Sequence, residues 1–310
     1  MKLVLLLTQP NRDDVRAFVE RIRLSGLQTA VLTDSDFRFT RPTADGDSVS
    51  VFPADDTVYL SDRPDCLALL CSADACVIGY EHDGLALSCP EIVESLSSLT
   101  ADYLTSVFAL YDTRTPVISD ETMALCRVSG QDFFNYFECC RREPYCLTPD
   151  ERRYTDADCS ELFRYHRMLS SVYPFTGTFR ILSHGTEIGY IGIFPQDLGV
   201  SDETEFTIDF LIHPDFRSHG FGTGAVRLML RYLAAQSGLK TVYARVHRDN
   251  LPSLTLLRNC SFSLVGELPE TKTDCPVRPF VDPPKCHASD TVLLLSRSLS
   301  GHPGTHIPPA

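Results

Sequence analysis

Apolar residues recur along this chain in two rhythms, and the rhythm changes mark its elements. In the first 111 residues, short apolar runs alternate with stretches whose apolar positions fall three and four apart. The runs Met1–Thr8, Thr29–Thr33, Thr57–Leu60 and Ala75–Tyr80 predict buried strands. Between the first two, Val15, Phe18, Val19 and Ile22 keep helical spacing. Asn11 is the predicted N-cap of that helix, Asp13 and Asp14 fall in its first turn, and Gly26 ends it. Pro64 opens a second helix lined by Leu67, Leu70 and Cys71. The polar segment from Arg38 to Asp56 reads as a loop around a short strand at Val49–Val51. Pro90 to Tyr111, with Ile92, Val93, Leu96, Tyr103, Leu104, Val107 and Phe108, predicts a closing helix. Strands alternating with helices indicate a small parallel α/β unit of residues 1–115. Asp112–Pro116 is a polar, proline-bearing joint, where the domain boundary is placed.

Beyond that joint the order changes. Thr122–Arg127 is a strand, and a helix starting near Gly130 carries Phe133, Tyr136, Phe137 and Cys140. A second helix, about 157–172, carries Leu162, Tyr165, His166 and Leu169, and Pro174 and Gly177 break it. Phe179–Leu182 and Glu187–Phe194 flank a glycine turn and predict a hairpin. An apolar strand through His213 follows, then a glycine-rich entry into a helix with Val226, Leu228, Met229, Leu230 and Leu233. Strands at Thr241–Val246 and Thr291–Leu295 complete the second domain, 116–299. The fold class expected is therefore α/β (α+β): a parallel unit followed by a mixed sheet with flanking helices. The Pro-, Lys- and Cys-rich stretch from Glu267 to Asp290 is long for a connection, which suits a functional or mobile loop. The tail 300–310 is expected to be disordered.

Composition narrows the function classes. A chain of 310 residues is long enough for two domains. Its formal net charge of −13 argues against nucleic acid or an anionic membrane as main partner, while leaving a cationic acceptor open. The 12 cysteines include no Cys-x-x-Cys pair and read as small reduced core residues. A zinc set from Cys275, Cys286 and His287 is the alternative, and no metal is expected. The apolar start Met1–Thr8 is too short for a signal peptide, so a cytoplasmic protein is expected.

Candidate chemistry concentrates in Phe206–Ala225. Glycines at 220, 222 and 224 leave backbone N–H groups unshielded at a helix N-terminus, which suits a phosphate or pyrophosphate. One reading is a dinucleotide turn, but its third glycine falls one place early, and Pro214 and Arg217 stand before it. The other is Arg-x-x-Gly-x-Gly, matched by Arg217, Gly220 and Gly222. Downstream, Asn250, Ser253, Leu256 and Phe262 are similar to an Asn-x-x-Ser-x-x-Leu-Tyr-x-x-x-Gly-Phe segment. With these two motifs, residues of roughly 118–298 resemble the GNAT N-acetyltransferases. The resemblance implies a mixed sheet whose two central parallel strands splay around acetyl-CoA, here Asp209–His213 and Thr241–Val246. It implies that Leu211, Ile212 and His213 line the pantetheine arm. The pyrophosphate would be held by Arg217 and the backbone of Ser218, His219, Gly220, Phe221, Gly222 and Thr223. Asn250 would contact pantetheine, with Ser253 assisting.

Acyl transfer to an amine needs a base for the ammonium and a proton for the departing thiolate. Asp209 is the first candidate base, because a carboxylate in an apolar strand is costly unless bonded or functional; Glu205, on the same face, is the second. Both also read as a solvated strand end or a structural hydrogen bond. His213 and His247, near strand ends, are relay candidates with a structural reading beside it. Two positions depart from the resembled pattern: Leu257 stands where the tyrosine acid is usual, and Ser261 where glycine precedes the aromatic residue. The leading expectation is an acyl-CoA-dependent N-acyltransferase for a small-molecule or protein amine. Leu257 motivates the alternative, a non-catalytic acyl-CoA-binding sensor; a nucleotide-binding oxidoreductase is the third reading. In residues 1–115, Thr8–Pro10, Asp62 and Glu81–Asp83 lie at predicted strand ends and read as caps and solvated turns. That layout resembles a stripped Rossmann-like or degenerate haloacid-dehalogenase-like region, lacking the nucleophilic aspartate of dehalogenase-type phosphatases, and implies a binding or structural module.

Overall fold

The computed structural model describes residues 1–32, 56–147, 151–196, 204–236, 239–269 and 291–299, in two compact units, Met1–Asp112 and Thr113–Ala310. In the first, β1 (Lys2–Leu6), β2 (Gln28–Leu32), β3 (Thr57–Ser61), β4 (Cys76–Tyr80) and β5 (Ile92–Val93) form an all-parallel sheet in the order β2-β1-β3-β4-β5. Every residue of β3 and β4 is buried, as helices on both faces of a parallel sheet require. Helix α1 (Asp13–Leu24) buries Val15, Phe18, Val19 and Ile22, and α2 (Pro64–Ser72) buries Cys66, Leu67 and Leu70. The chain passes from β1 to β2 on one side and returns to β3 on the other. The ends of β1 and β3 therefore flank the point where strand order reverses.

Two expectations about this unit are corrected. The N-cap of α1 is Arg12, with no side-chain cap bond, rather than Asn11. The helix predicted from Pro90 starts only at Ala101: α3 is Ala101–Tyr111 and is capped by Thr100, whose hydroxyl accepts from the Tyr103 N–H at 3.1 Å. Ahead of it, Ser95, Ser97 and Ser98 bond to one another and to nearby backbone, satisfying locally what a helix would otherwise satisfy. The expected strand at Val49–Val51 lies outside the described residues.

The second unit holds an eight-stranded mixed sheet in the order β12-β13-β11-β10-β9-β8-β7-β6. Its members in chain order are β6 (Pro116–Ser119), β7 (Met123–Arg127), β8 (Gly177–Ser183), β9 (Thr186–Gln196), β10 (Glu205–Ile212), β11 (Thr241–His247), β12 (Ser263–Pro269) and β13 (Thr291–Ser298). Helices α4 (Gly130–Arg142) and α5 (Asp156–Val172) each start with a capping box, Ser129/Asp132 and Thr155/Asp158. Helix α6 (Phe221–Ala234) buries Ala225, Val226, Leu228, Met229, Leu230 and Leu233, and α7 (Leu251–Asn259) buries Leu254 and Leu257. The strands β6 and β12 were not anticipated. A proline at the first residue and only four residues in all hide β6 as an edge strand.

The sheet is interrupted at its centre. β9 and β10 pair antiparallel at every residue of β10, from Glu205↔Gln196 to Ile212↔Gly189. On its other side β10 runs parallel to β11, and the two share one registered pair, Thr207↔Tyr243. The splay expected of these strands is present.

Candidate functional site

The divergence of β10 from β11 explains the burial along β10. Glu205 and Thr207, on one face before the strands part, are buried; Asp209, on the same face beyond the parting, is open to solvent. Desolvation by the surrounding segments pushes its carboxyl up to about 6, with Arg245 on β11 pulling it down and Glu151 pushing it further up. Arg245 in turn donates from Nη1 to Gln196 Oε1 at 3.4 Å. Tyr136 and the Cys140–Cys146 thiol pair belong to the same neighbourhood, since the Asp209 charge acts on all three. Burial raises the Tyr136 hydroxyl well above its usual range, so it keeps its proton. Cys146 is lowered by a hydrogen bond from Cys140, whose own thiol that bond and burial raise.

Asp209 and Glu205, the two expected carboxylates, are not brought together. They stand four positions apart on the strand, about 13 Å along the chain, and Glu205 is buried toward Tyr243. Of the two, only Asp209 is exposed.

At the end of β10 the chain makes a turn and enters α6. Leu211 is buried against Tyr190, while Ile212 and His213 are half-buried. The His213 N–H donates to Ile188 O at 2.9 Å, and its ring lies edge-on to Tyr190 at 5.5 Å with Nε2 3.5 Å from Glu187 Oε1. Arg217, Ser218, His219 and Gly220 are exposed. Ser218 and Gly220 have φ of 64° and 83°, and this alternation turns successive N–H groups to one side, an arrangement that binds anions. Gly220 is the N-cap of α6, so the first N–H groups of α6, at Phe221, Gly222 and Thr223, point toward the same place. The glycines differ in purpose. Gly220 has open space around it and is needed for its positive φ, whereas a Cβ on Gly222 would come within 2.6 Å of Leu256 Cδ1. Close packing, the bland reading of the run, thus accounts for Gly222.

Arg217 is engaged on both sides of its guanidinium. Nε donates to Ile212 O at 2.9 Å, and Nη2 pairs with Glu143 Oε1 at 2.5 Å. Glu143 follows the last residue of α4, and neither it nor the ion pair was foreseen from sequence. Asn250 caps α7, its Oδ1 accepting from the Ser253 N–H at 3.3 Å. The His247 ring stacks on Tyr145 at 4.8 Å. Leu257, at the position of the usual tyrosine, is fully buried in the core, and Phe262 packs in the same cluster. Ser261 adopts φ 61°, the conformation for which glycine would be the ordinary choice.

In the first unit the separately noted strand ends converge. Asp62, at the end of β3, accepts from the Thr8 N–H at 2.9 Å and from the Thr8 hydroxyl at 2.7 Å. His82, beyond β4, places Nε2 2.9 Å from Asp62 Oδ2 and Nδ1 3.0 Å from Asp83 Oδ2. These carboxylates, Asp62 first, raise the His82 pKa above 6.5. Thr8, Gln9, Asp62, Arg63, His82 and Asp83 border an open cleft of about 580 Å³. The expectation of solvated caps is too weak for Asp62, which is almost wholly buried.

Among the described residues no group of His, Cys, Asp and Glu is arranged to hold a metal, and no helix is long and apolar enough to cross a membrane. Cys275, Cys286 and His287 lie outside the described residues.

Comparison with known proteins bears on the second unit. Residues 123–263, a little under half of the chain, match the acetyltransferase (GNAT) domain. Among solved structures, the chain is similar to a protein described as a GnaT-family acetyltransferase from Bordetella pertussis. Identity is 18%, TM-score 0.45, and the match covers 59% of this chain and 99% of that one. It is also similar to RimL, a ribosomal L7/L12 α-N-protein acetyltransferase solved with coenzyme A, at 11% identity and TM-score 0.44 over 59% and 98%. A third is spermidine N-acetyltransferase from Vibrio cholerae, solved with CoA and spermine, at 16% identity and TM-score 0.42 over 58% and 98%.

Proposed function

We propose that this chain, with an acetyltransferase (GNAT) domain over residues 123–263, transfers an acetyl group from acetyl-CoA to a primary amine of a small molecule or protein. The observation that carries the reading is the conjunction of a parted β10–β11 pair with an exposed, positive-φ loop leading into α6. The open backbone of β10 suits the amides of a pantetheine arm. The N–H groups of 218–223 and the α6 dipole suit its pyrophosphate. Arg217 adds a cation there once Glu143 releases it. Asp209 is exposed on β10 and takes the proton from the ammonium, freeing the amine to attack the thioester carbonyl. With Leu257 in the core, the departing thiolate draws its proton from another donor, and the protonated Tyr136 hydroxyl near Asp209 is a candidate.

Calorimetric titration with acetyl-CoA tests the cofactor site, with Thr223→Glu as control. Thr223 is half-buried in the first turn of α6, so a carboxylate there favours the helix while repelling a pyrophosphate. Tight wild-type binding that falls at least tenfold in a folded Thr223→Glu protein is expected. A folded wild-type protein that binds no acetyl-CoA would sink the reading.

Core burial of Leu257 also favours a second reading, an acyl-CoA-binding sensor with no transfer activity. Acetyl transfer to any amine, lost in Asp209→Asn, decides for the enzyme.

A further inference from the structure

The turn that follows α4 touches both margins of the gap between β10 and β11. Glu143 and Tyr145 make the contacts, and Pro144 between them keeps Glu143 extended, at φ −98° and ψ 136°. On one side, Glu143 Oε1 pairs with Arg217 Nη2 at 2.5 Å. Arg217 Nε in turn donates at 2.9 Å to the carbonyl of Ile212, the last residue of β10. On the other side, the Tyr145 ring stacks on His247, the last residue of β11, with centres 4.8 Å and planes 19° apart. A chain of contacts therefore runs from Ile212 through Arg217, Glu143 and Tyr145 to His247. It joins the two parallel strands at their far ends, beyond the one pair they share at Thr207 and Tyr243.

The backbone of this turn is held from behind, by groups outside the gap. Arg152 donates from Nη1 to Arg141 O at 2.7 Å and from Nη2 to Glu143 O, and the Glu143 N–H donates to Cys140 O at 3.1 Å. The contacts across the gap are weaker. Tyr145 is 45% exposed, and the side chains of Arg217 and Glu143 are 43% and 24% exposed, so water screens their ion pair.

We propose that Glu143–Tyr145 is an autoinhibitory strap, in which Glu143 is a built-in counter-anion that acyl-CoA must displace from Arg217. The inference rests on the acetyl-CoA reading of the gap. A guanidinium offers carboxylates and phosphates the same fork of N–H groups, so the two compete for it. A carboxylate left beside a pyrophosphate also repels it. Tyr145 holds the same turn to the β11 margin, so the strap opens only when both side chains let go. A ligand that needs the open form binds more weakly by the fraction of molecules already open.

Calorimetric titration of wild type, Glu143→Gln and Tyr145→Ala with acetyl-CoA, and separately with inorganic pyrophosphate, tests this. Glu138→Gln is the control for net charge, since Glu138 is an exposed carboxylate of α4 paired with Arg141. Glu143→Gln should bind both ligands roughly three- to tenfold more tightly than wild type, and Tyr145→Ala at least about twofold. Glu138→Gln should stay within about twofold of wild type. Equal or weaker acetyl-CoA binding by Glu143→Gln overturns the strap and leaves the cofactor reading standing. An equal gain in Glu138→Gln overturns it as well, because charge alone would then explain the effect. If no folded protein binds acetyl-CoA but Glu143→Gln gains pyrophosphate affinity, the cofactor reading falls and Glu143 remains the competitor at an anion site. If neither ligand binds, both fall. Should Glu143→Gln fail to fold, Tyr145→Ala decides, and binding no tighter than wild type overturns the strap.

Discussion

On the proposed reading, Asp209 is a side chain whose charged form desolvation makes costly and whose carboxylate serves as the base. Its carboxyl rises from an ordinary 3.8 to about 6 because desolvation opposes the charged form. A base must be deprotonated to act, so kcat/KM should climb with pH through about 6. Asp209→Asn should remove that limb and lower kcat by about 10²–10⁴. For stability the sign is opposite. A carboxyl raised in the folded state contributes stability below its unfolded value, and that contribution is lost as pH rises through 6. Asp209→Asn should therefore melt higher than wild type at pH 8 while being inactive; a lower melt would count against the desolvation account. Ser261 makes a simpler case. It occupies the left-handed position after α7, where a Cβ is unfavourable. Ser261→Gly should stabilise by about 0.5–1 kcal/mol in urea unfolding, and no gain would show that its neighbours already relieve the strain. Asp209 was legible because a carboxylate interrupts an apolar strand. Its companions Arg245, Gln196, Tyr136 and Cys146 were not, because four separate segments bring them together and none has a local signature.

At the scale of elements, helices with a clear apolar face and a strong end signal were readable within a residue or two. Both α4 and α5 begin where Ser129 and Thr155 cap them. Misreadings arose where local chemistry outbid spacing, as in the serine-rich turn before α3, or where an element lies at an edge, as with β6 and β5. Strand pairing was harder to read than strand presence. Gly189 illustrates the point: its sequence context suggests only a glycine in a strand, yet a Cβ there would lie 2.1 Å from the Leu211 backbone oxygen. Backbone cannot step aside as a side chain can. Gly189→Ala should cost about 1–3 kcal/mol and weaken acetyl-CoA binding, because β9 and β10 pair directly at Gly189↔Ile212. Unchanged stability by urea unfolding would mean that the two strands can separate there at no cost.

For the molecule as a whole, each unit has its own hydrophobic clusters, one set around Phe18, Leu60 and Ile78 and another around Phe179, Ile193 and Met229. Two cooperative transitions in scanning calorimetry are the expected result. They should respond differently to pH. His82 has a native pKa raised by Asp62 and Asp83, so its contribution is complete below 6.5 and fades as pH rises through the raised value. The transition of residues 1–112 should move down between pH 6 and 9, and His82→Gln should flatten that dependence; identical slopes in both proteins would remove His82 as the cause. A sheet ordinarily has two margins, and this one has two more inside it, where β10 and β11 face each other beyond Thr207 and Tyr243. Margins exchange their amide hydrogens quickly and invite foreign strands. A molecule that lies between them closes the ladder by proxy. Slow exchange along the two strands, and resistance to aggregation, would then be lent by whatever fills the gap and would rise and fall with its concentration.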